Sequence, residues 1–293
     1  MTLGHFPLDS AQDAKVLARR ALAEDGPTDV TSDVVAAAGL TAIGSLQYRS
    51  GGVVAGLRYA EEVARQCGGQ LLEWQVEEGA AVPPNSEIGQ IRGDMAAMLR
   101  AERPLLNLLQ RACGIASATR SFVQALAGTR CRVLHTRKTA PGLRGLDTSA
   151  VVAGGGELHR LDLAAALLFK DNHWRVLQRR RLTLRAVCDE AKSRGVTAVY
   201  VEVESPDQVR AACGAGATRL LVDNQTPETF RAWADLARGL APLIELEASG
   251  GITLDVAREY ALAGADFVSV GALTHSVVAA DVALEVLDAA GTR

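Results

Sequence analysis

The fold class of this chain can be predicted from residues 198–224, AVYVEVESPDQVRAACGAGATRLLVDN. An apolar run that ends in charged residues is followed by a segment with the spacing of an amphipathic helix, and a second apolar run again ends in charge. Apolar strands that alternate with amphipathic helices are typical of a parallel α/β sheet. The stretch therefore predicts one strand–helix–strand unit of such a sheet.

The same alternation extends in both directions, from about residue 131 to about residue 272. The predicted strands are residues 131–138, 166–173, 198–205, 219–224, 243–251 and 266–272. Before residue 115 helical and strand-like segments mix, which indicates a separate N-terminal domain. A long helical pattern covers residues 96–128, and Pro104 is predicted to start a new helix within it.

The composition is that of an ordinary soluble enzyme, with 48% hydrophobic residues, 22% charged residues and a net charge of -3. Such a chain lacks the basic face that general nucleic-acid binding requires. No apolar run reaches the roughly 20 residues that span a bilayer, and the N-terminus has no signal-peptide pattern. The five cysteines share no metal-type spacing and are typical of reduced, buried thiols. We therefore expect a cytoplasmic protein that binds neither nucleic acid nor a membrane.

Charged or glycine-rich residues stand at the carboxyl end of every predicted strand. In a βα barrel these ends lie at one mouth, where the chemistry takes place. The residues are Arg137 and Lys138, Lys170 to His173, Glu202 and Glu204, Asp223 and Asn224, Ser249 to Gly251, and Gly271. The pattern predicts a binding site at that mouth.

Cations dominate the first part of this site. The set comprises Arg137, Lys138, His159, Arg160 and Lys170. Buried cations without partners are costly, so the set predicts that a polyanionic ligand or internal acids offset its charge. For two further arginines, Arg111 and Arg144, ion pairing at the surface is an equal alternative.

Acidic residues and glycines follow the later strands. Glu202, Glu204 and Asp223 are suited to hold magnesium or ribose hydroxyls beside a phosphate-rich ligand. The glycine-rich ends of the last two strands let backbone N–H groups approach a phosphate. The sequence thus predicts a ligand with carboxylates at one end, a phosphate at another and sugar hydroxyls between them.

Several ordered motifs resemble those of the quinolinate phosphoribosyltransferase family, the nicotinate-nucleotide pyrophosphorylases of NAD synthesis. They are EDGPTDVTSD (24–33), HTRKTAPGLR (135–144), GGGELHR (154–160), LLFKDNH (167–173), VEVES (201–205), VDN (222–224), LEASGGI (246–252) and SVGALTHSV (269–277). The resemblance spans nearly the whole chain. It implies an α/β fold, with an N-terminal α/β sandwich domain (1–116, on which 276–293 pack back) and an open six-stranded α/β barrel (117–275).

The resemblance also implies a reaction. Quinolinate and phosphoribosyl pyrophosphate would give nicotinate mononucleotide, pyrophosphate and carbon dioxide, with Mg²⁺ as the cofactor. The implied catalytic residues are Lys138, Lys170, Glu202 and Asp223, and the two acids match those that bind ribose hydroxyls and magnesium. The implied substrate contacts are Arg103, Arg137, Lys138, His159, Arg160, Lys170, Glu202, Asp223, Ser249, Gly250 and Gly271. Arg103 would come from the neighbouring subunit of a homodimer with shared active sites, or of a hexamer built from three dimers.

The chain departs from the family pattern GGGxNHRxGLxD at three positions. Leu158 replaces the asparagine, Asp162 the glycine and Ala165 the aspartate. Because an inward-facing carboxylate would weaken an anion pocket, we expect Asp162 to be a solvated surface charge.

Two alternatives to this activity stay open, the first within the enzyme class and the second outside it. One is a paralogous phosphoribosyltransferase-like protein of the group associated with molybdate transport. The other is a non-catalytic metabolite-binding homologue, and the joint presence of Lys138, Glu202 and Asp223 argues against it, because a binding protein would not need the whole set.

Overall fold

The computed structural model describes residues 10–36 and 39–291, and the chain divides into two compact units. We call residues 121–136 and 157–271 the barrel unit, and residues 10–36, 39–120, 137–156 and 272–291 the sandwich unit. The predicted domains, 1–116 and 117–275, differ from these units mainly in residues 137–156, which group with the N-terminal residues.

The elements follow one another along the chain, and the longest connection, residues 154–166, lies between α5 and β7. They are α1 (Ser10–Glu24), α2 (Val30–Val35), β1 (Leu40–Tyr48), β2 (Gly52–Val53), α3 (Leu57–Gln66), β3 (Leu71–Trp74), β4 (Ala81–Val82), β5 (Ser86–Asp94), α4 (Met95–Ala125), β6 (Arg132–Leu134), α5 (Arg144–Ala153), β7 (Leu167–Phe169), α6 (Asp171–Arg180), α7 (Leu184–Ser193), β8 (Val199–Val203), α8 (Pro206–Ala215), β9 (Arg219–Asp223), α9 (Pro227–Leu240), β10 (Glu245–Ser249), α10 (Leu254–Leu262), β11 (Phe267–Ser269), α11 (Ala272–His275) and β12 (Val282–Gly291). Among these described helices, none is long and apolar enough to cross a bilayer.

The sandwich unit contains a four-stranded antiparallel sheet in the order β12–β1–β5–β3. Strand β12, near the C-terminus, pairs with β1 along its whole length, from Leu40 opposite Gly291 to Tyr48 opposite Val282. Alternate residues of β1 and β5, such as Leu46 and Ile91, are fully buried. Because side chains alternate across a strand, one face of this sheet forms the core of the unit.

Helix α4 is continuous, so the prediction that Pro104 starts a new helix is wrong. Proline lacks an N–H and normally disrupts a helix interior. Here Pro104 is buried, and Ala101 and Leu105 on either side of it are fully buried. Burial of this apolar stripe offsets the lost backbone hydrogen bond, and the helix runs on to Ala125.

The barrel unit contains six strands in one parallel sheet, which confirms the predicted α/β class and strand number. Their order is β6–β11–β10–β9–β8–β7, so β6 and β7 are the edges and the sheet is open. Local signals define the helix between β8 and β9: Ser205 accepts a hydrogen bond from the Gln208 N–H, and Gly216 ends the helix at a φ of 82°. These are the preferred residues at the two ends of a helix.

The five cysteines are all free. Burial raises the pKa of the Cys113 and Cys131 thiols to about 12. At neutral pH these two side chains are therefore protonated, unreactive core residues, as the sequence predicted.

Candidate active site

One face of the barrel sheet is charged rather than apolar. In the strand register, Arg219 on β9 lies opposite Tyr200 on β8 and Glu245 on β10. Two residues further along β9, Leu221 lies opposite Glu202 and Glu247. Paired residues of neighbouring strands point to the same face of a sheet. Alternate positions of three adjacent strands therefore bring an arginine and several acids together.

Glu247 is the centre of a buried ionic cluster on this face, with 1% of its surface exposed. Its Oε2 accepts hydrogen bonds from His159 Nε2 and from Arg219 Nη1, each at 3.2 Å. Its Oε1 accepts a hydrogen bond from the hydroxyl of Ser269. Arg219 also pairs with Glu245 at 2.7 Å and lies over the Phe267 ring at 4.0 Å. Each buried charge thus has a partner, as a low-dielectric interior requires.

The same contacts set the charge state of Glu247. Burial by itself raises the pKa of this carboxyl, but the hydrogen bonds from His159 and Ser269 and the positive charge of Arg219 outweigh burial, so the pKa lies below its ordinary value of 4.5. The carboxylate is therefore ionised at neutral pH.

A depressed pKa links Glu247 to stability at acidic pH. The ionised carboxylate stabilises the fold above about pH 4.5, and this contribution is lost as the pH falls below that value toward the folded-state pKa. We expect Glu247→Gln to be less stable than the parent chain at pH 7 and the difference to shrink below pH 4.5. Urea unfolding at a series of pH values measures this, and a difference that is constant with pH would contradict it.

His159, a predicted substrate contact, lies at the edge of this cluster with 9% of its side chain exposed. Its backbone N–H donates to Nδ1 of His135, which is buried after β6, at 2.8 Å. Its ring packs edge-on against Tyr200, with the centroids 5.4 Å apart. The imidazole thus has two contacts, to Glu247 and Tyr200, and a third hydrogen bond holds the backbone of His159, so the orientation of the ring is restricted.

Lys170 and Glu202, two predicted catalytic residues, form an ion pair. Lys170 Nζ donates a hydrogen bond to Glu202 Oε2, and the backbone N–H of Asp171 donates to the other carboxylate oxygen at 3.4 Å. Glu202 is buried, whereas 45% of the Lys170 side chain is exposed. Because the Lys170 ammonium is half exposed, it can bind an incoming anion in place of Glu202. The buried Glu202 carboxylate would then lose the partner that neutralises its negative charge.

Asp223, Ser249 and Gly250 lie together at the ends of β9 and β10. Asp223 pairs with Ser249 across the sheet, and the Asn224 N–H donates to the Ser249 carbonyl at 2.9 Å. A Cβ on Gly250 would lie 2.2 Å from Asn224 Oδ1, and its φ is +83°, so glycine alone fits. This close approach of two chain segments is compatible with the predicted phosphate site.

Arg160 and the departures from the family pattern lie in the loop before β7. The Arg160 guanidinium donates to the Ala166 carbonyl at 3.1 Å. Asp162 accepts from the N–H groups of Ala164 and Ala165, at 2.9 and 2.8 Å. Its carboxylate therefore caps its own loop, while Leu158 is 41% exposed.

The sandwich unit holds the remaining predicted cations. Arg103 on α4 has 59% of its side chain exposed and pairs weakly with Glu102 at 3.9 Å. Arg137 is half-buried and Lys138 is exposed. Within the described part of the chain, the buried Nε atoms of Arg137 and Arg144 have no hydrogen-bond partner. Unsatisfied buried donors are rare in folded proteins and are compatible with an anion ligand.

The carboxylates offer only part of a metal site. In residues 10–36 and 39–291, no group of three or more His, Cys, Asp or Glu side chains is arranged to hold a metal ion. Glu202 and Asp223 lie on neighbouring strands, and Glu202 is level with Leu221, two residues before Asp223. Mg²⁺ at phosphate sites is commonly held by one or two carboxylates plus substrate oxygens. The two acids fit that mode and do not fit a site made by protein ligands alone.

Glu247 and Arg219 were not among the site residues predicted from the sequence. Both lie at alternate positions of strands that read as apolar runs, LIELEASGG and RLLVDN. The available signal was the period of two: within a strand, a charged residue faces the side of the sheet opposite to that of its apolar neighbours in sequence. Only the register places the two charges together.

Fold and site together define a class: an α/β protein with an open six-stranded parallel sheet and charged or glycine-rich residues at the carboxyl ends of its strands, where βα-barrel enzymes have their active sites. Two family models then match consecutive parts of the chain. Residues 29–113 match the N-terminal domain of quinolinate phosphoribosyl transferase, and residues 115–285 match its C-terminal domain. The chain belongs to the quinolinate phosphoribosyl transferase family.

Individual relatives agree over nearly full length. A nicotinate-nucleotide pyrophosphorylase [carboxylating] from Mycobacterium leprae is 37% identical over 97% of this chain and 99% of that protein. A probable enzyme of the same name from Methanothermobacter thermautotrophicus is 35% identical over 90% of this chain and 95% of that protein. A solved nicotinate-nucleotide pyrophosphorylase from Francisella tularensis has a TM-score of 0.88 at 31% identity, and the match covers 98% and 99% of the two chains. These relatives support the enzyme rather than the two alternatives.

Proposed function

We propose that this chain transfers a phosphoribosyl group from phosphoribosyl pyrophosphate to quinolinate and releases pyrophosphate and carbon dioxide, giving nicotinate mononucleotide. The observation that carries the proposal is the match of both family domains, in order, over residues 29–285. The predicted strand-end residues lie within this range. A cytoplasmic location is part of the proposal, because five free cysteines are typical of a reducing compartment.

Binding begins with the carboxylates of quinolinate. Arginine binds carboxylates through two parallel hydrogen bonds, and lysine adds a point charge. We assign Arg137, Lys138, His159 and Arg160 to this task from their place in the family motifs. Lys170 contacts the ligand as well, and exchanges its hydrogen bond to Glu202 for one to the substrate.

Phosphoribosyl pyrophosphate occupies the later strand ends. Glu202 and Asp223 bind its ribose hydroxyls, and the backbone around Ser249, Gly250 and Gly271 receives the 5′-phosphate. Mg²⁺, when bound with this substrate, neutralises charge on the departing pyrophosphate. The buried Glu202 carboxylate favours the positive charge that develops on the ribosyl carbon as the bond to pyrophosphate breaks.

Transfer and decarboxylation then follow from geometry. The pyridine nitrogen forms a bond to the ribosyl carbon as pyrophosphate leaves with the bonding pair. Because the cations hold the carboxylates of the ring, the nitrogen lies in line with the bond that breaks. The ribosylated ring is an electron sink, so the adjacent carboxylate leaves as carbon dioxide and the ring carbon takes a proton. No step needs a covalent bond between substrate and protein.

The proposal is tested by measuring nicotinate mononucleotide and carbon dioxide together. Both should form in equal amounts, and only when quinolinate, phosphoribosyl pyrophosphate and Mg²⁺ are all present. Quinolinate binding without release would favour the non-catalytic homologue, and the absence of both binding and release would favour the molybdate-associated paralogue.

We also propose that the chain acts as a homodimer whose sites are completed by Arg103 of the neighbouring subunit, with a hexamer of three dimers as the larger form. The support is the family motif and the exposure of Arg103, whose side chain is 59% accessible. An exposed cation that pairs weakly with its neighbour Glu102 is available for contact with a second subunit or its ligand.

Mixing two inactive variants tests the shared site. In a hybrid of Arg103→Ala and Lys138→Ala subunits, one of the two sites receives both intact residues, so random exchange should recover about a quarter of the parent activity. Each variant incubated alone is the control. Activity that stays at the mean of the two variants after complete subunit exchange would contradict a site shared in this way.

A further inference from the structure

We propose that Arg111, Asp147 and Thr274 are positioning residues that hold the backbone of residues 138–140 and thereby orient Lys138 for catalysis. The inference rests on the proposed function, which gives Lys138 its role. All of these residues lie in the sandwich unit.

Asp147 is the buried anchor of this arrangement. It lies in the first turn of α5 and is fully buried. Its carboxylate accepts two hydrogen bonds from Arg111, from Nε at 2.7 Å and from Nη2 at 2.8 Å. It also accepts the backbone N–H of Ala140 at 3.2 Å. Asp147 thus ties the loop that follows Lys138 to helices α4 and α5.

Thr274 makes the second attachment, on the other side of Thr139. It is 1% exposed and lies in α11. Its hydroxyl donates to the carbonyl of Lys138 at 2.9 Å, and its own carbonyl accepts from Arg111 Nη2 at 2.8 Å. Arg111 therefore links the two attachment points, although the sequence allowed it equally to be a surface ion-pair residue.

The attachments fix the part of the loop from which Lys138 extends. Residues 138–140 lie outside the helices and strands, and a turn closes behind them, with the Leu143 N–H donating to the Ala140 carbonyl at 3.0 Å. The lysine side chain is long and flexible, so its direction depends on where its backbone is held. Small displacements of a catalytic group lower the rate strongly, because alignment supplies much of the rate acceleration.

Stability alone gives little reason for this buried pair. An arginine–carboxylate pair in a protein interior is often no more stabilising than apolar residues of the same volume. Besides binding each other, Arg111 forms a hydrogen bond to α11 and Asp147 accepts one from the loop. A role in orienting a functional loop accounts for that distribution.

The test is a double-mutant cycle between Thr274 and Lys138. Valine has the shape of threonine without the hydroxyl, so Thr274→Val removes the hydrogen bond to the Lys138 carbonyl with little change in packing. We expect Thr274→Val to lower kcat about tenfold, Thr274→Ser to stay within about twofold of the parent, and Thr274→Val to have almost no further effect in Lys138→Ala. Parent-like kcat in Thr274→Val, or the same loss in both backgrounds, would overturn the inference.

A second measurement separates this inference from the proposed function. Hydrogen exchange of the peptide covering residues 136–143 should be faster in Thr274→Val than in the parent and unchanged in Thr274→Ser, whether or not the chain is active. Equal exchange in all three would overturn the positioning role. A parent chain that makes no nicotinate mononucleotide but shows the expected exchange would instead contradict the proposed function.

Discussion

Replacing either Lys138 or Arg160 by alanine is expected to lower kcat/KM for quinolinate at least about a hundredfold. A hundredfold loss corresponds to about 2.7 kcal/mol, which lies within the range of about 1.5–3 kcal/mol for one hydrogen bond to a charged group. Both side chains are assigned to the carboxylates of the substrate, and removal of a cation leaves one carboxylate without its partner. Initial rates of carbon dioxide release at varied quinolinate measure the effect.

The control is another arginine of the same chain that is outside the proposed site. Arg210 is exposed on α8, and its guanidinium donates to the Pro206 carbonyl of its own helix at 3.4 Å. Arg210→Ala should keep the parent kcat/KM within about twofold. If Lys138→Ala and Arg160→Ala behaved like Arg210→Ala, the carboxylates of quinolinate would have to bind elsewhere.

The largest effect on stability is expected from Arg219→Met, at about 3–5 kcal/mol, because breaking one partner of a buried ion pair leaves an uncompensated charge. Arg219 has 9% of its side chain exposed and pairs with the buried Glu247 and with Glu245. Methionine keeps much of the volume against the Phe267 ring but removes the positive charge. Urea unfolding at pH 7 measures the loss.

Arg132 on β6 provides a matched control for Arg219. Its guanidinium also lies over the Phe267 ring, at 4.6 Å, but its ion pair with Glu157 is exposed, with side-chain accessibilities of 51% and 45%. Exposed pairs contribute about 0–1 kcal/mol, so Arg132→Met should cost no more than that. Adding Glu247→Gln to Arg219→Met should recover part of the loss, and equal costs at the two arginines would contradict the buried cluster.

The barrel sheet could be predicted from the sequence because its signal is local. Residues 198–205 were predicted as a strand, and β8 spans Val199–Val203. Some predicted strands extend further than the observed ones, because residues such as Arg137 and Lys170 follow the last paired residues of β6 and β7. An apolar run that ends in charge is also a local signal, so Lys170 and Glu202 could be singled out from the sequence, and they form an ion pair in the structure.

What the sequence could not reveal depends on contacts between distant residues. The cluster around Glu247 forms only through the register of three strands. Arg219 stands at the start of a largely apolar run, so the sequence alone did not mark it as part of a charged cluster. The pairing of β12 with β1 joins segments more than two hundred residues apart. Arg111 and Asp147 are separated by 36 residues, and no local pattern distinguishes their buried pair from a surface one. Pro104 is tolerated because tertiary burial offsets a local penalty, which helix propensity alone does not include.

We propose above all that cations beside the strand ends bind a pyridine dicarboxylate next to a sugar phosphate. A crystal structure of the chain with quinolinate would show whether they do. We predict the ring at the carboxyl ends of the barrel strands, with a substrate carboxylate on Arg160 and on Lys170 and with the ion pair between Lys170 and Glu202 opened or shared. Quinolinate bound away from the strand ends, with that ion pair intact, would contradict the account.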